Sequence, residues 1–258
     1  MTNLGIAAGL SIEIPTAQVH AAFSAPDLYV GERASLELAA RFCREADAFV
    51  DVGANVGFFT FHVRSKTGDS IPIFAYEPDP LLFDLLSSNV QRNGLRGVEV
   101  HQVAIGAADG RATFYRNLTD GLSGSVTTEF QTAHDIEAVT VPMKKFSTVA
   151  REHGFAHACV KVDVEHAEDL FLDGLGTEHD RIGWLIMEVL GPAVDRQFVR
   201  RAMTRTGWRA YYINDFSLEH SVDGGFRYRE SEFNWLFCRQ APAALRASLA
   251  GSRFRVRE

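Results

Sequence analysis

Asp51-Val52-Gly53-Ala54-Asn55-Val56-Gly57 is the stretch whose reading decides the fold. It follows the apolar run Ala48–Val52, read as a buried strand, and leads into Gly57–Ser65, read as a helix. A glycine turn between a strand and a helix lies at the carboxyl edge of an open α/β sheet, where ligands bind. Glycine there lets backbone approach a ligand without a Cβ in the way. The turn is not a P-loop, because no Gly-x4-Gly-Lys-Ser/Thr string follows. Nor is it the dinucleotide turn Gly-x-Gly-x-x-Gly, since Gly53 and Gly57 are separated by Ala54, Asn55 and Val56. Asp51 is a poor neighbour for a pyrophosphate and a good one for a cationic ligand. S-adenosylmethionine, with a sulfonium, an ammonium and no phosphate, is such a ligand.

Outward from this turn the chain alternates strand and helix. Ile71–Tyr76 reads as a strand and Pro80 to about Asn93 as a helix ended by Gly94. Val98–Ile105 reads as a third strand and His157–Asp163 as a fourth, with a helix from about Ala167. Gly183–Leu190 reads as a fifth, followed by a helix over Val194–Thr206. Trp208–Asn214 and Phe233–Arg239 look like closing strands. This order predicts an α/β sheet with helices on both faces. Residues 111–143 interrupt the rhythm as a small β insertion, with strands at Arg111–Arg116 and Ile136–Met143. Upstream, a helix is expected between Gly31 and Ala46. The expected organisation is an N-terminal arm or short hairpin over 1–30, one domain over 31–240 and a tail over 241–258.

Composition agrees with a globular chain. Its 258 residues are 46% hydrophobic and 23% charged, with 21 Gly and 8 Pro, which excludes collagen and bulk disorder. With 26 basic and 33 acidic residues the net charge is −7, which argues against a nucleic-acid partner. Cys43, Cys159 and Cys238 fit neither a disulfide framework nor a zinc spacing and read as buried thiols. No apolar run reaches the ~20 residues that span a bilayer. The first basic side chain is Arg33, so no basic stretch opens an export signal. A cytoplasmic protein without a membrane partner is expected, with a small-molecule acceptor; a homodimer is compatible with the sequence.

Further acids fall at strand ends. Glu77, in Tyr76-Glu77-Pro78, ends the second strand, where a carboxylate accepts both hydrogen bonds of a ribose diol. The same device serves dehydrogenases, so Glu77 marks an adenosine and not a reaction. Val103-Ala104-Ile105-Gly106 is small and apolar, suited to one wall of an adenine slot. In the fourth strand Lys161, Asp163 and Glu165 share one face and alternate with valines. Charges on a buried strand must be paired or must form a site. Glu188 lies near the end of the fifth apolar run.

These strings together resemble the FkbM family of class I S-adenosylmethionine-dependent methyltransferases. The matches are 51–57, Glu77-Pro78, 103–106 and Lys161-Val162-Asp163-Val164-Glu165, within a resemblance covering about residues 31–240. The resemblance implies a Rossmann-like, seven-stranded, mostly parallel sheet whose last strand, Phe233–Arg239, is antiparallel. It implies S-adenosylmethionine as cofactor, no metal, and methylation of a hydroxyl on a sugar, natural product or other small metabolite. Nitrogen or carboxyl acceptors occur in the family as well. A nicotinamide oxidoreductase and a non-catalytic binding protein are the readings from other classes.

The expected cofactor residues are Asp51, Gly53, Ala54, Asn55, Gly57, Glu77, Pro78, Ala104, Ile105 and Asp163. Glu165 is the expected base, His166 the alternative, and Asp163 and Glu188 complete the catalytic set. The family often has Gly where this chain has His166. The Gly- and Ser-rich segment Asp120–Ser125 is read as a loop over the acceptor pocket.

Overall fold

The structure, a computed structural model, describes residues 1–6, 9–14, 32–118, 123–127, 135–190, 192–225 and 233–258. In chain order the elements are β1 (Thr2–Gly5), β2 (Ser11–Ile14), α1 (Arg33–Phe42), β3 (Ala48–Val52), α2 (Phe58–Thr67), β4 (Ile73–Tyr76) and α3 (Pro80–Arg92). Next come β5 (Val98–His101), β6 (Ala104–Gly106), β7 (Gly110–Asn117), β8 (Gly124–Ser125), β9 (Ile136–Lys145), α4 (Phe146–His153) and β10 (Ala158–Val162). The chain continues through α5 (Glu168–Gly174), β11 (Ile182–Glu188), α6 (Pro192–Thr206), β12 (Arg209–Asn214), β13 (Ser217–Ser221), β14 (Asn234–Cys238), α7 (Pro242–Ser248) and β15 (Arg255–Arg257).

The main sheet has the order β15-β13-β12-β14-β11-β10-β3-β4-β5. Strands β5, β4, β3, β10 and β11 run parallel, and β14 is antiparallel to both β11 and β12. The antiparallel assignment of the Phe233–Arg239 region therefore holds. Seven strands form the expected sheet, and β13 and β15 extend it to nine. The sheet does not stop at residue 240, because β15 pairs in parallel with β13.

Every residue of β3 and of β10 is buried, as parallel strands covered on both faces require. Neighbouring residues serve opposite cores. Val50, Val160 and Leu185 pack with Phe146, Phe171 and Phe198. Phe49, Cys159 and Trp184 pack on the other face with Leu36, Phe42 and Leu245. All three cysteines are buried and free. No helix of the described residues is long and apolar enough to cross a membrane.

The expected third strand is in fact two. The Val103 amide bonds the His101 carbonyl at 3.0 Å, a turn centred on Gln102 that takes the chain out of the main sheet. Ala104–Gly106 then pairs with Met143–Lys145 in a second sheet of order β6-β9-β7-β8. This small sheet contains the expected insertion. Helix α4, which no sequence signal marked, links it back to β10.

Two features position the site. Strand order reverses between β3 and β10, because the chain builds β3-β4-β5 outward on one side and β10-β11 on the other. The turns after β3, β4 and β10 thus emerge together at a topological switch point. The β1–β2 hairpin, in the part expected to be an arm, is bound to α3. Asn89, fully buried, accepts the Glu13 amide at 2.9 Å and donates to the carbonyls of Glu13 and Val56.

Asn89→Ala leaves these backbone groups without their partner. We expect a loss of roughly 1–3 kcal/mol in denaturant unfolding, with faster amide exchange at Glu13.

Candidate active site

The turn after β3 is shaped by contact with β10. A Cβ on Gly53 (φ +71°) would lie 1.8 Å from the Asp163 carbonyl oxygen, so only glycine fits. A Cβ on Gly57 (φ +104°), before α2, would lie 2.7 Å from Leu86 Cδ1. Asn55 takes a left-handed backbone (φ +52°), and its amide donates to Glu77 Oε2 at 2.7 Å. The Asp79 amide donates to Glu77 Oε1 at 2.8 Å. Two backbone donors therefore aim the Glu77 carboxylate. Burial pushes Glu77 up to about 7, against the lowering effect of those two hydrogen bonds. Asp79 caps α3 through the Leu81 and Leu82 amides and pairs with Arg116 Nε at 2.7 Å, joining the small sheet to this corner.

A cleft of about 610 Å³ opens here. Of the expected site residues, Gly53, Asn55, Glu77, Pro78, Ala104, Ile105, Asp163 and Glu165 line it. Asp51, Ala54 and Gly57 lie beneath the lining. Ala54 packs with Ile12 and Phe61. Asp51 is fully buried, and its Oδ2 accepts the amide and hydroxyl of Thr60 at 3.0 and 2.7 Å. Asp51 Oδ1 has no hydrogen-bond partner among the described residues. Leu82, Val103, Phe114, Ser123, Gly124 and Val126 also face the cleft. Of the loop read over the pocket, Ser123–Ser125 are described; Asp120, Gly121 and Leu122 lie outside the described residues.

His166 is exposed and is not part of the lining. Its amide donates to Glu168 Oε1 at 3.1 Å. Glu165 and His166 both have left-handed backbone, at φ +46° and +69°. Glycine suits that conformation best, which explains the departure at 166: His is among the residues that tolerate it. Glu188 is not among the lining residues; burial and the neighbouring acids Asp163, Glu32 and Glu165 raise its carboxyl well above the ordinary range.

Lys161 is the cation of the group. Its buried ammonium donates to the Gly53 carbonyl at 3.0 Å and to Asp163 Oδ2 at 3.2 Å, and lies over the Phe59 ring at 5.1 Å. Asp163, Asp51 and Glu32 hold it protonated against burial. Sequence reasoning did not find Glu32. It precedes α1, and Asn234 Nδ2 bonds its Oε1 at 3.4 Å, an approach no local pattern reveals.

The cleft thus combines apolar residues, the buried carboxylate of Glu77 and the acids Asp163 and Glu165. The profile of the Methyltransferase FkbM domain matches residues 51–216. The chain belongs to the FkbM family of S-adenosylmethionine-dependent methyltransferases. Methyltransferase 1 of Beauveria bassiana is 31% identical over 162 residues, 55% of this chain and 65% of that protein. Methyltransferase sdnD of Sordaria araneosa is 32% identical over 160 residues, 50% of this chain and 61% of that protein. The 31-O-demethyl-FK506 methyltransferase FkbM of Streptomyces tacrolimicus is 29% identical over 174 residues, 57% and 66% of the two chains. The matched region spans less than two thirds of each relative's length. A crystal structure of methyltransferase FkbM from Methylobacillus flagellatus KT superposes with a TM-score of 0.49 at 14% identity, covering 87% of this chain and 55% of that one.

The residues fit the family's cofactor. Glu77 is a buried carboxylate in the lining, Gly53 has no Cβ to meet the Asp163 carbonyl, and Asp163 adds an acid to the same lining.

Two outcomes follow from the site. His166→Val is expected to unfold about 1–2 kcal/mol more easily than His166→Gly in thermal or urea denaturation, through left-handed strain. Glu77 favours its neutral form in the fold. Its contribution to stability is therefore full below its ordinary value of 4.5 and is lost as pH rises through about 7. Urea unfolding at pH 5 and pH 8 should show the advantage of wild type over Glu77→Gln shrinking by roughly 2–4 kcal/mol at the higher pH.

Proposed function

We propose that this methyltransferase acts on a hydroxyl of a small metabolite, natural product or sugar. The observation that carries the reading is that Glu77, after β4, and Asp163, after β10, line one cleft at the switch point. When bound, S-adenosylmethionine supplies an electrophilic methyl on a cationic sulfur. Glu77 accepts the ribose hydroxyls through lone pairs not used by the Asn55 and Asp79 amides. Pro78, Leu82, Ala104 and Ile105 give the adenine an apolar slot. Asp163 and Asp51 provide negative charge for the ammonium end.

An attacking hydroxyl must lose its proton, and a placed base contributes typically ~10²–10⁴-fold. Glu165 is the base in this reading, because its residue lines the cleft and follows Asp163 out of β10. His166, outside the lining, is the weaker choice. The name of the Streptomyces tacrolimicus relative supports an oxygen acceptor, since the methyl its substrate lacks is an O-methyl.

Calorimetry with S-adenosylhomocysteine tests the cofactor site. Binding is expected, with a loss of about tenfold or more (~1.4 kcal/mol) in Glu77→Ala. No binding at near-millimolar ligand, or a Glu77→Ala protein that binds as wild type does, overturns the assignment. A screen with methyl-labelled cofactor over hydroxylated small molecules identifies an acceptor. With that acceptor, Glu165→Gln should lower turnover by ~10²–10⁴-fold and leave cofactor affinity unchanged; full turnover refutes the base.

A further inference from the structure

Arginines gather at the far edge of the main sheet. In β15, Val256 is buried with Leu245 and Leu249, so Arg255 and Arg257 project from the opposite face. With Arg253 they line an open cavity of about 750 Å³ beside the turn between β12 and β13. Phe216 of that turn organises the corner. Its carbonyl accepts the Arg255 amide at 2.8 Å. The Arg253 guanidinium lies over its ring, 4.2 Å from the centroid, and that of Arg33 lies at 5.9 Å. Elsewhere on the surface arginines find acids, as Arg92 does in Glu13, Arg201 in Asp169 and Arg246 in Glu258. Among the described residues no carboxylate forms an ion pair with Arg253, Arg255 or Arg257. Two acids share the lining, yet Glu219 accepts from Asn214 Nδ2 at 3.0 Å and Asp215 is exposed at the turn. The cavity therefore keeps an excess of positive charge.

We propose that this cavity binds the phosphoryl group of a small phosphorylated molecule. A phosphoryl group brings three acceptor oxygens and a charge of about −1.5 to −2. A carboxylate brings two oxygens and a single charge. Planar guanidinium forks take such oxygens two at a time. Alternate residues of a strand lie ~6.6 Å apart, so the long side chains of Arg255 and Arg257 reach one ligand together. Arg253, laid on Phe216, adds a third fork, and Ser217 adds a neutral hydroxyl. The chain's net charge of −7 favours a small anion here over a nucleic-acid strand. Because β14 is antiparallel to both β11 and β12, the β12–β13 turn emerges at the same edge of the sheet as the cleft. Five strand positions separate β15 from β10, roughly 24 Å at the usual strand spacing. The cavity is thus a second site on that edge, and it stands independently of the acceptor reading above.

Calorimetric titration of the full chain with inorganic pyrophosphate at low ionic strength tests the site. Saturable binding is expected, weakened about tenfold or more in the double variant Arg255→Ala/Arg257→Ala. Both side chains are exposed, so their removal leaves the packing of Val256 in place. Arg96→Ala, which removes an exposed arginine elsewhere, should bind as wild type does. No saturation at near-millimolar pyrophosphate overturns the proposal, and that result needs no variant. A double variant that binds as wild type does, or an equal loss in Arg96→Ala, overturns it too. Displacement by S-adenosylhomocysteine puts the pyrophosphate in the cleft and has the same consequence. Malonate, a dicarboxylate, binding as tightly as pyrophosphate overturns the phosphoryl assignment. A short single-stranded RNA that binds more tightly and displaces pyrophosphate overturns the small-molecule reading. Once the screen above yields an acceptor, pyrophosphate that competes with it places the phosphoryl group on the acceptor. Binding without competition supports a separate phosphorylated ligand.

Discussion

One buried ammonium ties this active site together. Lys161 sits on β10 in register with Asp51 on β3, and its Nζ bonds the Gly53 carbonyl across the strand boundary. The same atom holds Asp163, whose backbone carbonyl leaves room only for a glycine at 53. The glycine turn after β3 and the segment after β10 are therefore held to one another through a single cation. Such a cation is costly to bury alone and stable only while its acids are in place.

The sheet makes this arrangement possible. Parallel strands buried on both faces bring the carboxyl ends of β3, β4 and β10 to one edge, and the reversal of strand order between β3 and β10 opens a crevice between their turns. The small sheet closes the crevice from the side. It supplies Phe114 and Val126 and is held to the corner by Arg116 on Asp79. The cleft is thus assembled from one rigid edge and one attached wall. Its electrostatics follow from burial: the Glu77 carboxylate is nearly covered, and Asp163, Asp51 and Glu32 share one lysine.

Most of the main sheet was legible in the sequence because its strands are apolar runs bounded by turns. Ala48–Val52 and Pro80–Arg92 lie where the apolar pattern and the bounds at Pro80 and Gly94 put them. The elements that escaped carry little local signal. β13 buries only Leu218 and Ser221, and β15 only Val256, so their strand character comes from their partners. Helix α4 is eight residues long and has no side-chain cap. The run from Val98 to Ile105 reads as one strand, and only the turn at Gln102 and the pairing with β9 divide it.

The sequence by itself determined the sheet class, the glycine turn at 51–57, the acid at the end of the second strand and the charged face of the fourth. Each is encoded by neighbours a few residues apart. Tertiary structure alone decided which of these residues face the cleft and which lie under it. Asp51 and Ala54 belong to the cofactor motif yet are covered by packing, while Asn55 reaches Glu77. Glu32 joins the acids around Lys161 from well over a hundred residues away. Glu188, at the end of β11, is raised well above the ordinary range by burial and by acids brought near it from other elements. Long-range pairing sets these distances, and distance and burial set the charge each group carries.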